Sequence, residues 1–383
     1  MRNRICSWTF FGFAAALVIG CGPQLRLPTV SPSLVQGERQ RQKEEVLKLY
    51  FERAEQVARV SHSLRTKGSQ LCQDNLEPVL GLFWADKKII PEEYWDVGER
   101  VFGLGEDLRV LSVMPGSPAD LAGVKPGDVV IKISGQEVVP GLKLYSKISK
   151  SEEAQELLRR ATTKSVDLEI ERAASRIQIA VEPIPGCGFP SRVNIDDRVN
   201  AFADGKNIIV TTGLLRFVRD DDELSIVLGH EMAHNTLDHA SRSNIGARTG
   251  WVLGLILDAA AMAGGVSTGG IFSQWGAQAG RLIFSKDYES EADYLGLYFA
   301  VNGGFDIFKA PDLWRRMAAE HPGSIKENFL STHPSSPERT ASISAALQEI
   351  KMKLKSQSPL TPERKEKSAP LPPAGDGIKS EEE

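Results

Sequence analysis

Apolar residues follow two different spacings along the chain, and each spacing predicts its own kind of element. Between Gln36 and Arg65 apolar side chains return every three or four positions, which predicts one long amphipathic helix. From about residue 97 the pattern changes to short β-branched runs separated by glycine turns, which predict strands at 108–113, 129–133, 166–170 and 177–181. The expected fold is therefore α+β, with an N-terminal helix ahead of a β-rich domain.

The first twenty residues have the pattern of a secretory signal. Arg2 and Arg4 precede an uncharged apolar run, Trp8–Ile19, that is too short to cross a bilayer comfortably. The end of this run resembles a bacterial lipobox, which implies cleavage before Cys21 and lipidation of that cysteine. By the same resemblance, Gly22 favours the periplasmic face of the outer membrane. The alternative is an ordinary signal peptide followed by an incidental cysteine.

Composition narrows the class of protein. A length of 383 residues fits two or three domains, and a formal charge of -4 argues against a strongly basic protein that binds nucleic acid. Cys72 and Cys187 form an even pair in an oxidising compartment, which predicts a disulfide, although two buried free thiols are the alternative. Residues 351–383 hold few large apolar side chains and are expected to be a disordered tail.

The middle of the chain carries a Gly- and Pro-rich pattern that runs from Gly116 through Gly123 to Asp128. This pattern resembles bacterial PDZ domains and implies such a domain at 96–184, after a signal peptide at 1–20 and a tether and helical region at 21–95. The expected carboxylate-binding loop, beside which a peptide adds as a strand, consists of Gly103, Leu104 and Gly105. A PDZ fold that only packs or regulates, with an empty groove, is equally compatible.

The carboxyl half contains a metal-binding pattern. His230 and His234 lie four positions apart on a predicted helix, so both imidazoles project from one face and can hold one zinc ion. Glu231 lies beside them and can take a proton from the attacking water. Glu289 supplies a carboxylate ligand and Asp293, one turn later, an acceptor for a ligand histidine. The alternatives are two histidines without a metal, and Glu291 as the third ligand.

A wider set of motifs follows in one order along the carboxyl half: Asn200-Ala201-Phe202, Thr212-Gly213-Leu214-Leu215, Gly229–His234, Glu289–Asp293, Thr332–Ser335 and Arg339. Together these motifs resemble the CaaX-prenyl-protease/HtpX-like zinc metallopeptidases, metallopeptidase family 48, of the soluble BepA/Oma-like type. The resemblance implies a gluzincin-type, mostly helical domain with a small sheet at 186–350 and one Zn²⁺ per chain. It implies that Glu231 is the general base, that His333 donates to an oxyanion or occludes the metal, and that Arg339 braces Asp293. It also implies that His230, His234 and Glu289 are the zinc ligands.

Further segments are expected to shape the substrate cleft. The strand at 206–211, with Ile208 and Val210, is expected to be an edge with which an extended substrate pairs, and a core strand is the alternative. Asn200, Ala201 and Phe202 would help to form this groove, whereas His239 is expected to continue the zinc helix in a structural role. Residues 244–284 predict a helical hairpin over the cleft or, alternatively, a contact with a membrane surface.

These observations predict an exported, lipid-anchored zinc endopeptidase that acts on misfolded or misassembled envelope proteins. Its expected partners are protein or peptide substrates and, through the N-terminal lipid, a membrane, but no nucleic acid. The rival hypothesis is a chaperone-like or scaffolding lipoprotein whose zinc site is latched or silent.

Overall fold

The computed structural model describes residues 27–139, 149–161, 164–239, 271–320 and 337–364, with short pieces at 142–143, 146–147, 241–242, 252, 255–258 and 262. The predictions for the signal segment and Cys21, for His333, for most of 244–270 and for residues 365–383 of the tail lie outside these residues. No helix within the described ranges has the length and apolar character needed to cross a membrane.

Helices and strands alternate in the first half, and long helices dominate the second. The α-helices are α1 (Pro32–Lys67), α2 (Trp95–Phe102), α3 (Pro118–Leu121), α4 (Lys150–Arg160), α5 (Thr212–Phe217), α6 (Asp221–Thr236), α7 (Ile271–Gly303), α8 (Ala310–Glu320) and α9 (Pro337–Lys355). The strands are β1 (Leu76–Val79), β2 (Leu82–Ala85), β3 (Leu108–Val113), β4 (Val129–Ile133), β5 (Gln136–Glu137), β6 (Leu142–Lys143), β7 (Ser146–Lys147), β8 (Val166–Arg172), β9 (Ser175–Val181), β10 (Ile184–Cys187), β11 (Ser191–Asn194), β12 (Ala201–Ala203) and β13 (Ile208–Thr211).

Helix α1 contributes buried side chains to two hydrophobic cores. Its first turn is capped by Ser31, whose hydroxyl accepts a hydrogen bond from the N–H of Leu34. Tyr50 and its buried neighbours on the middle turns pack against α2 and the segment that follows β2. Val60 and Leu64, near its carboxyl end, are fully buried in the core that also contains α6 and α7. One continuous helix therefore holds the two halves of the molecule together.

The larger sheet is antiparallel, with the order β2-β3-β4-β8-β9 and with β5 paired to β4. Its first strand, β2, precedes residue 96, so the sheet begins earlier than the domain start expected from the sequence. Helices α3 and α4 contribute buried side chains to the core of this sheet. Among the described strands, β2 and β9 form its two edges.

The structure contradicts the predicted peptide-binding loop at residues 103–105. Gly103 ends α2 in the left-handed region with φ 64°, and its N–H donates to the carbonyl of Glu99. Leu104 is fully buried in the core beside α1. The strand that follows, β3, is paired on both sides, so no peptide can add beside it. The strand with an open edge is β2, which follows Leu80 and Gly81.

In the smaller sheet, the strand that was predicted to be the substrate-binding edge, β13, is the central strand. The order of this sheet is β11-β13-β12, with β13 parallel to β11 and antiparallel to β12. Ile208 and Val210 on β13 are fully buried in the core that contains α6, so they cannot pair with an added strand. Asn200 immediately precedes β12, which packs against α6 and has an open edge among the described strands. Phe202 on β12 is 40% exposed, whereas Ala201 is buried.

Two cysteines lie close together between the end of α1 and strand β10. Cys72 follows α1 after the 3-10 turn Ser69–Leu71, and Cys187 ends β10 opposite Leu76 of β1. The two cysteines lie in the geometry of a disulfide, with their Cα atoms 5.6 Å apart across a sequence separation of 115. The pair that the sequence predicted is therefore brought within bonding distance.

We expect the double substitution Cys72→Ser, Cys187→Ser to lower the free energy of unfolding by about 4–5 kcal/mol, because a loop of this length restricts the unfolded chain strongly. Chemical denaturation of the oxidised wild type and the variant measures the difference. Reductant should destabilise the wild type and leave the variant unchanged. Equal midpoints for the oxidised wild type and the variant would show that the cysteines are not bonded.

Candidate metal centre

The site is built where α6 and α7 cross at very short distance. A Cβ atom on Gly229 would lie 2.5 Å from the carbonyl oxygen of Gly296, and a Cβ on Gly296 would lie 2.8 Å from the backbone N of His230. The two backbones can meet at this point only because both positions are glycine. The contact places the second half of α6 beside the turns of α7 that carry Glu289 and Asp293.

Three predicted ligands converge at this crossing. The Nε2 atoms of His230 and His234 are 3.1 Å apart. The carboxylate of Glu289 lies 3.4 Å from each of these two nitrogens, through Oε2 to His230 and through Oε1 to His234. His230 and Glu289 are buried and His234 is partly buried. Two imidazole nitrogens and a carboxylate oxygen within 4.8 Å of one another are a donor set that fits a divalent metal ion.

A second layer of charged groups orients these ligands. The Nδ1 atom of His230 lies 2.9 Å from Oδ1 of Asp293, which leaves Nε2 to face the other ligands. Arg339 is buried and donates to both oxygens of Asp293, at 2.8 and 2.7 Å. Its remaining terminal nitrogen is 3.1 Å from Glu289. Arg339 therefore holds the predicted ligand Glu289 as well as Asp293, the residue that the family resemblance assigned to it.

The electrostatics of the cluster favour a positive charge at the ligand positions. Burial acts to lower the pKa of His230, but Asp293 and Glu289 outweigh it and raise this pKa to about 10. Burial acts to raise the pKa of Asp293, and Arg339 together with His230 reverses the direction and lowers it. The Asp293 carboxylate thus remains ionised beside His230 and stabilises a cation there.

His239 is a further part of this layer, and the sequence interpretation placed it incorrectly. Helix α6 ends at Thr236, and Asp238 adopts a left-handed φ of 53°, so the chain turns back instead of continuing the helix. The Nδ1 atoms of His239 and His234 are consequently 2.9 Å apart. Burial, with the nearby charge of His234, lowers the pKa of His239 to about 3. A neutral His239 can accept a hydrogen bond from the Nδ1–H of His234. The Nε2 atom of His234 then faces the metal position.

The general base predicted from the sequence, Glu231, is buried on the helix turn that carries His230. The structure thus gathers His230, Glu231, His234, Glu289, Asp293 and Arg339 into one centre, with His239 as an addition. The central strand β13 does not offer the open edge that was expected for a substrate. His333 lies outside the described residues.

We expect Gly296→Ala to lower the free energy of unfolding by about 1–3 kcal/mol and to weaken metal binding, because the new methyl group would meet the backbone of His230. The intrinsic helix propensity of alanine would by itself stabilise the variant by about 1 kcal/mol. Gly37→Ala is the matched control, since a Cβ there has open space within a helix. Urea unfolding and chelator competition measure both effects, and identical behaviour of the two variants would contradict the crossing constraint.

We expect His239→Leu to weaken metal binding by roughly 10–100-fold, the usual cost of losing a group that orients a metal-bound histidine. His239→Asn should restore much of the affinity, because its amide can occupy the position of Nδ1. Competition with a chromophoric chelator measures the affinity, and circular dichroism tests the fold. Wild-type affinity in the leucine variant would show that the contact with His234 does not support binding.

Two parts of the chain match known protein families. Residues 160–347 match peptidase family M48, and residues 109–172 match a PDZ domain. The two matches overlap in the part of the chain that forms the end of α4 and β8. The match to the crystal structure of the HtrA3 PDZ domain bound to a phage-derived ligand has a TM-score of 0.21 and 21% identity, and covers 29% of this chain and 88% of that one.

Two curated relatives illustrate the similarity over the carboxyl half. The mitochondrial metalloendopeptidase OMA1 of Schizosaccharomyces pombe is 34% identical over 189 residues, which are 49% of this chain and 54% of that protein. The beta-barrel assembly-enhancing protease of Yersinia pestis is 33% identical over 150 residues, which are 36% of this chain and 30% of that protein. The chain thus spans only about a third to a half of these relatives. Its carboxyl half is a peptidase family M48 domain, and a PDZ domain precedes it.

Proposed function

We propose that this protein is an exported, zinc-dependent endopeptidase with a gluzincin-type catalytic domain. The single observation that carries the proposal is the convergence of His230, His234 and Glu289 beside the buried carboxylate of Glu231. A structural zinc site would use four protein ligands and would gain nothing from such a carboxylate. The described ligands number three, which is the set of a catalytic site that keeps one position for water or substrate.

The ligand separations support zinc as the proposed metal. A tetrahedral zinc with bonds of about 2.0–2.1 Å requires neighbouring ligand atoms about 3.3 Å apart. The three separations in the site are 3.1, 3.4 and 3.4 Å. The ligand set of two imidazoles and one carboxylate is also that of known zinc peptidases, and the bonds from Asp293 and Arg339 hold it in place without the metal.

The chemistry follows from the positions of these groups. A bound zinc ion supplies Lewis acidity, which makes water more acidic and polarises a carbonyl group. Glu231 takes a proton from the attacking water and returns it to the leaving amine. An extended substrate pairs with the open edge of β12, beside α6, and Phe202 contributes an exposed side chain there. In this proposal β12 is the substrate-binding edge that was expected in β13.

The proposed location is the bacterial cell envelope. The lipobox-like pattern at Cys21 supports export and lipid anchoring, and the geometry of Cys72 and Cys187 suits an oxidising compartment. A relative is named a beta-barrel assembly-enhancing protease, which supports substrates among misfolded or misassembled envelope proteins. The PDZ domain would bind these substrates or regulate their access.

The second candidate is a chaperone-like or scaffolding lipoprotein with a latched zinc site. It retains every ligand and differs only in whether His333 closes the open metal position. His333→Ala separates the two hypotheses, because it should release cleavage if His333 is a latch and reduce cleavage if His333 stabilises the oxyanion.

We expect Glu231→Gln to retain about one zinc per chain and to lose casein cleavage by roughly 10²–10⁴-fold, because the amide cannot accept the proton. Metal analysis and a fluorescent casein assay on the full chain test this directly. Glu99→Gln, an exposed substitution on α2, is the control and should behave as wild type. Cleavage by zinc-loaded Glu231→Gln at the wild-type rate would rule out the proposed mechanism.

A further inference from the structure

Strand β12 is short and has neighbours on one side only. It contains three residues and, among the described strands, pairs with β13 alone. At the two ends of β12, backbone hydrogen bonds to the segment that contains β13 are made by Asn200 and by Asp204. Because bonded and non-bonded positions alternate in an antiparallel ladder, Ala201 and Ala203 turn their N–H and C=O groups to the open side. A substrate that pairs with β12 would bond to these two alanines.

The turn between β12 and β13, at residues 204–207, is rigid in itself. The Oδ1 atom of Asp204 accepts hydrogen bonds from the N–H groups of Lys206 and Asn207, at 2.8 and 2.6 Å. Gly205 adopts a left-handed φ of 89°, which glycine accommodates without strain. Most of the turn is exposed. Since the turn moves as one piece, whatever holds it in place also holds the end of β12.

Asn235 of α6 holds this turn. Its side chain is buried, its Oδ1 atom accepts a hydrogen bond from the N–H of Gly205 at 2.8 Å, and its Nδ2 atom donates to the carbonyl of Asn207 at 3.1 Å. An amide with its oxygen and nitrogen exchanged would face a donor with a donor and an acceptor with an acceptor, so the partners fix its orientation. Both ends of the amide therefore bind the turn.

Asn235 directly follows His234, one of the three residues of the metal centre. Successive side chains on an α-helix are about 100° apart, so His234 can face Glu289 while Asn235 faces the turn. Their Cα atoms are about 3.8 Å apart across one peptide bond. The metal position and the turn thus share one support, the last turns of α6.

The contacts on the other side of the turn are weaker. Arg159 of α4 donates to the carbonyl of Lys206 at 3.3 Å, and Arg192 lies 3.7 Å from Oδ2 of Asp204. Both arginines also form ion pairs with glutamates elsewhere, and the side chain of Arg192 is half exposed. Exposed ion pairs contribute little, so the buried amide of Asn235 is the stronger anchor of the turn.

We infer that Asn235 is a positioning residue that fixes the substrate-binding edge β12 relative to the metal ligand His234. The inference rests on the proposed function, because it takes β12 as the edge to which an extended substrate is added. A substrate paired with Ala201 and Ala203 reaches the metal centre at a set distance. If the turn were loose, the substrate would have to order the edge as it binds, which weakens binding and misplaces the reacting carbonyl group.

The test compares wild type with Asn235→Leu, because leucine has a similar size and forms neither hydrogen bond. The probe is fluorescein-labelled casein. We expect Asn235→Leu to lower kcat/KM for casein roughly tenfold and, in chains that also carry Glu231→Gln, to weaken casein binding roughly tenfold, because both bonds to the turn are lost. Zinc affinity in a chelator competition should not change. Hydrogen–deuterium exchange at residues 200–208 should become faster, whether or not the protein cleaves casein.

Two further variants separate positioning from general stability. Asn235→Asp still accepts from Gly205 but cannot donate to Asn207, so its casein binding should lie between wild type and Asn235→Leu. Asn302→Leu, near the end of α7, is the matched control. The amide of Asn302 also donates to two backbone carbonyls of the peptidase half, at 2.8 and 2.9 Å, so its loss costs comparable bonds. Asn302→Leu should leave casein binding and cleavage unchanged.

Equal casein binding and cleavage by wild type and Asn235→Leu would overturn the inference and leave the proposed function in place. A loss in Asn302→Leu as large as that in Asn235→Leu would also overturn it, since stability alone would then explain both. Loss of zinc from Asn235→Leu would assign Asn235 to metal binding instead of the edge. A zinc-loaded wild type that neither binds nor cleaves casein would contradict the proposed function and the inference together.

Discussion

The contact between Gly229 and Gly296 is the constraint on which the metal centre depends. Helices normally pack with their axes about 8–10 Å apart because side chains separate them. Here no Cβ atom stands between the two backbones, and the carbonyl of one glycine lies against the Cα of the other. The side chains one and two turns away can then meet across the interface. His230 and Asp293 touch only because the chain on each side has a residue without a side chain.

The buried charges around this crossing form a single network. Glu231, Glu289 and Asp293 are buried together with Arg339, and the guanidinium of Arg339 contacts Glu289 and Asp293. Carboxylates in such a low-dielectric environment stay ionised only when cations or donors balance them. The described part of the centre therefore combines three carboxyl groups with one guanidinium, a set that a divalent ion would complement. Metal binding and the stability of the crossing are linked for this reason.

The sequence predicted the parts of this centre that depend on local spacing. His230 and His234 share a helix face four residues apart, and so do Glu289 and Asp293, and helical geometry suffices for both pairs. Positions set by tertiary structure were harder to predict. His239 contacts His234 through a left-handed turn that no motif signals, and β13 has the composition of either an edge or a central strand. Leu80-Gly81 and Leu104-Gly105 are similar dipeptides, and only the strand order separates them. Arg339 could be assigned only from the family resemblance.

The 36-residue helix α1 has a consequence for how the molecule comes apart. Because its middle turns belong to one core and its last turns to another, neither core is complete without it. Separating the two named domains along the boundary in sequence would expose apolar surface on both fragments. Heat or denaturant should therefore unfold the molecule in one cooperative transition rather than in two. The PDZ domain and the peptidase domain match different families and have separate sheets, but α1 makes them a single folding unit.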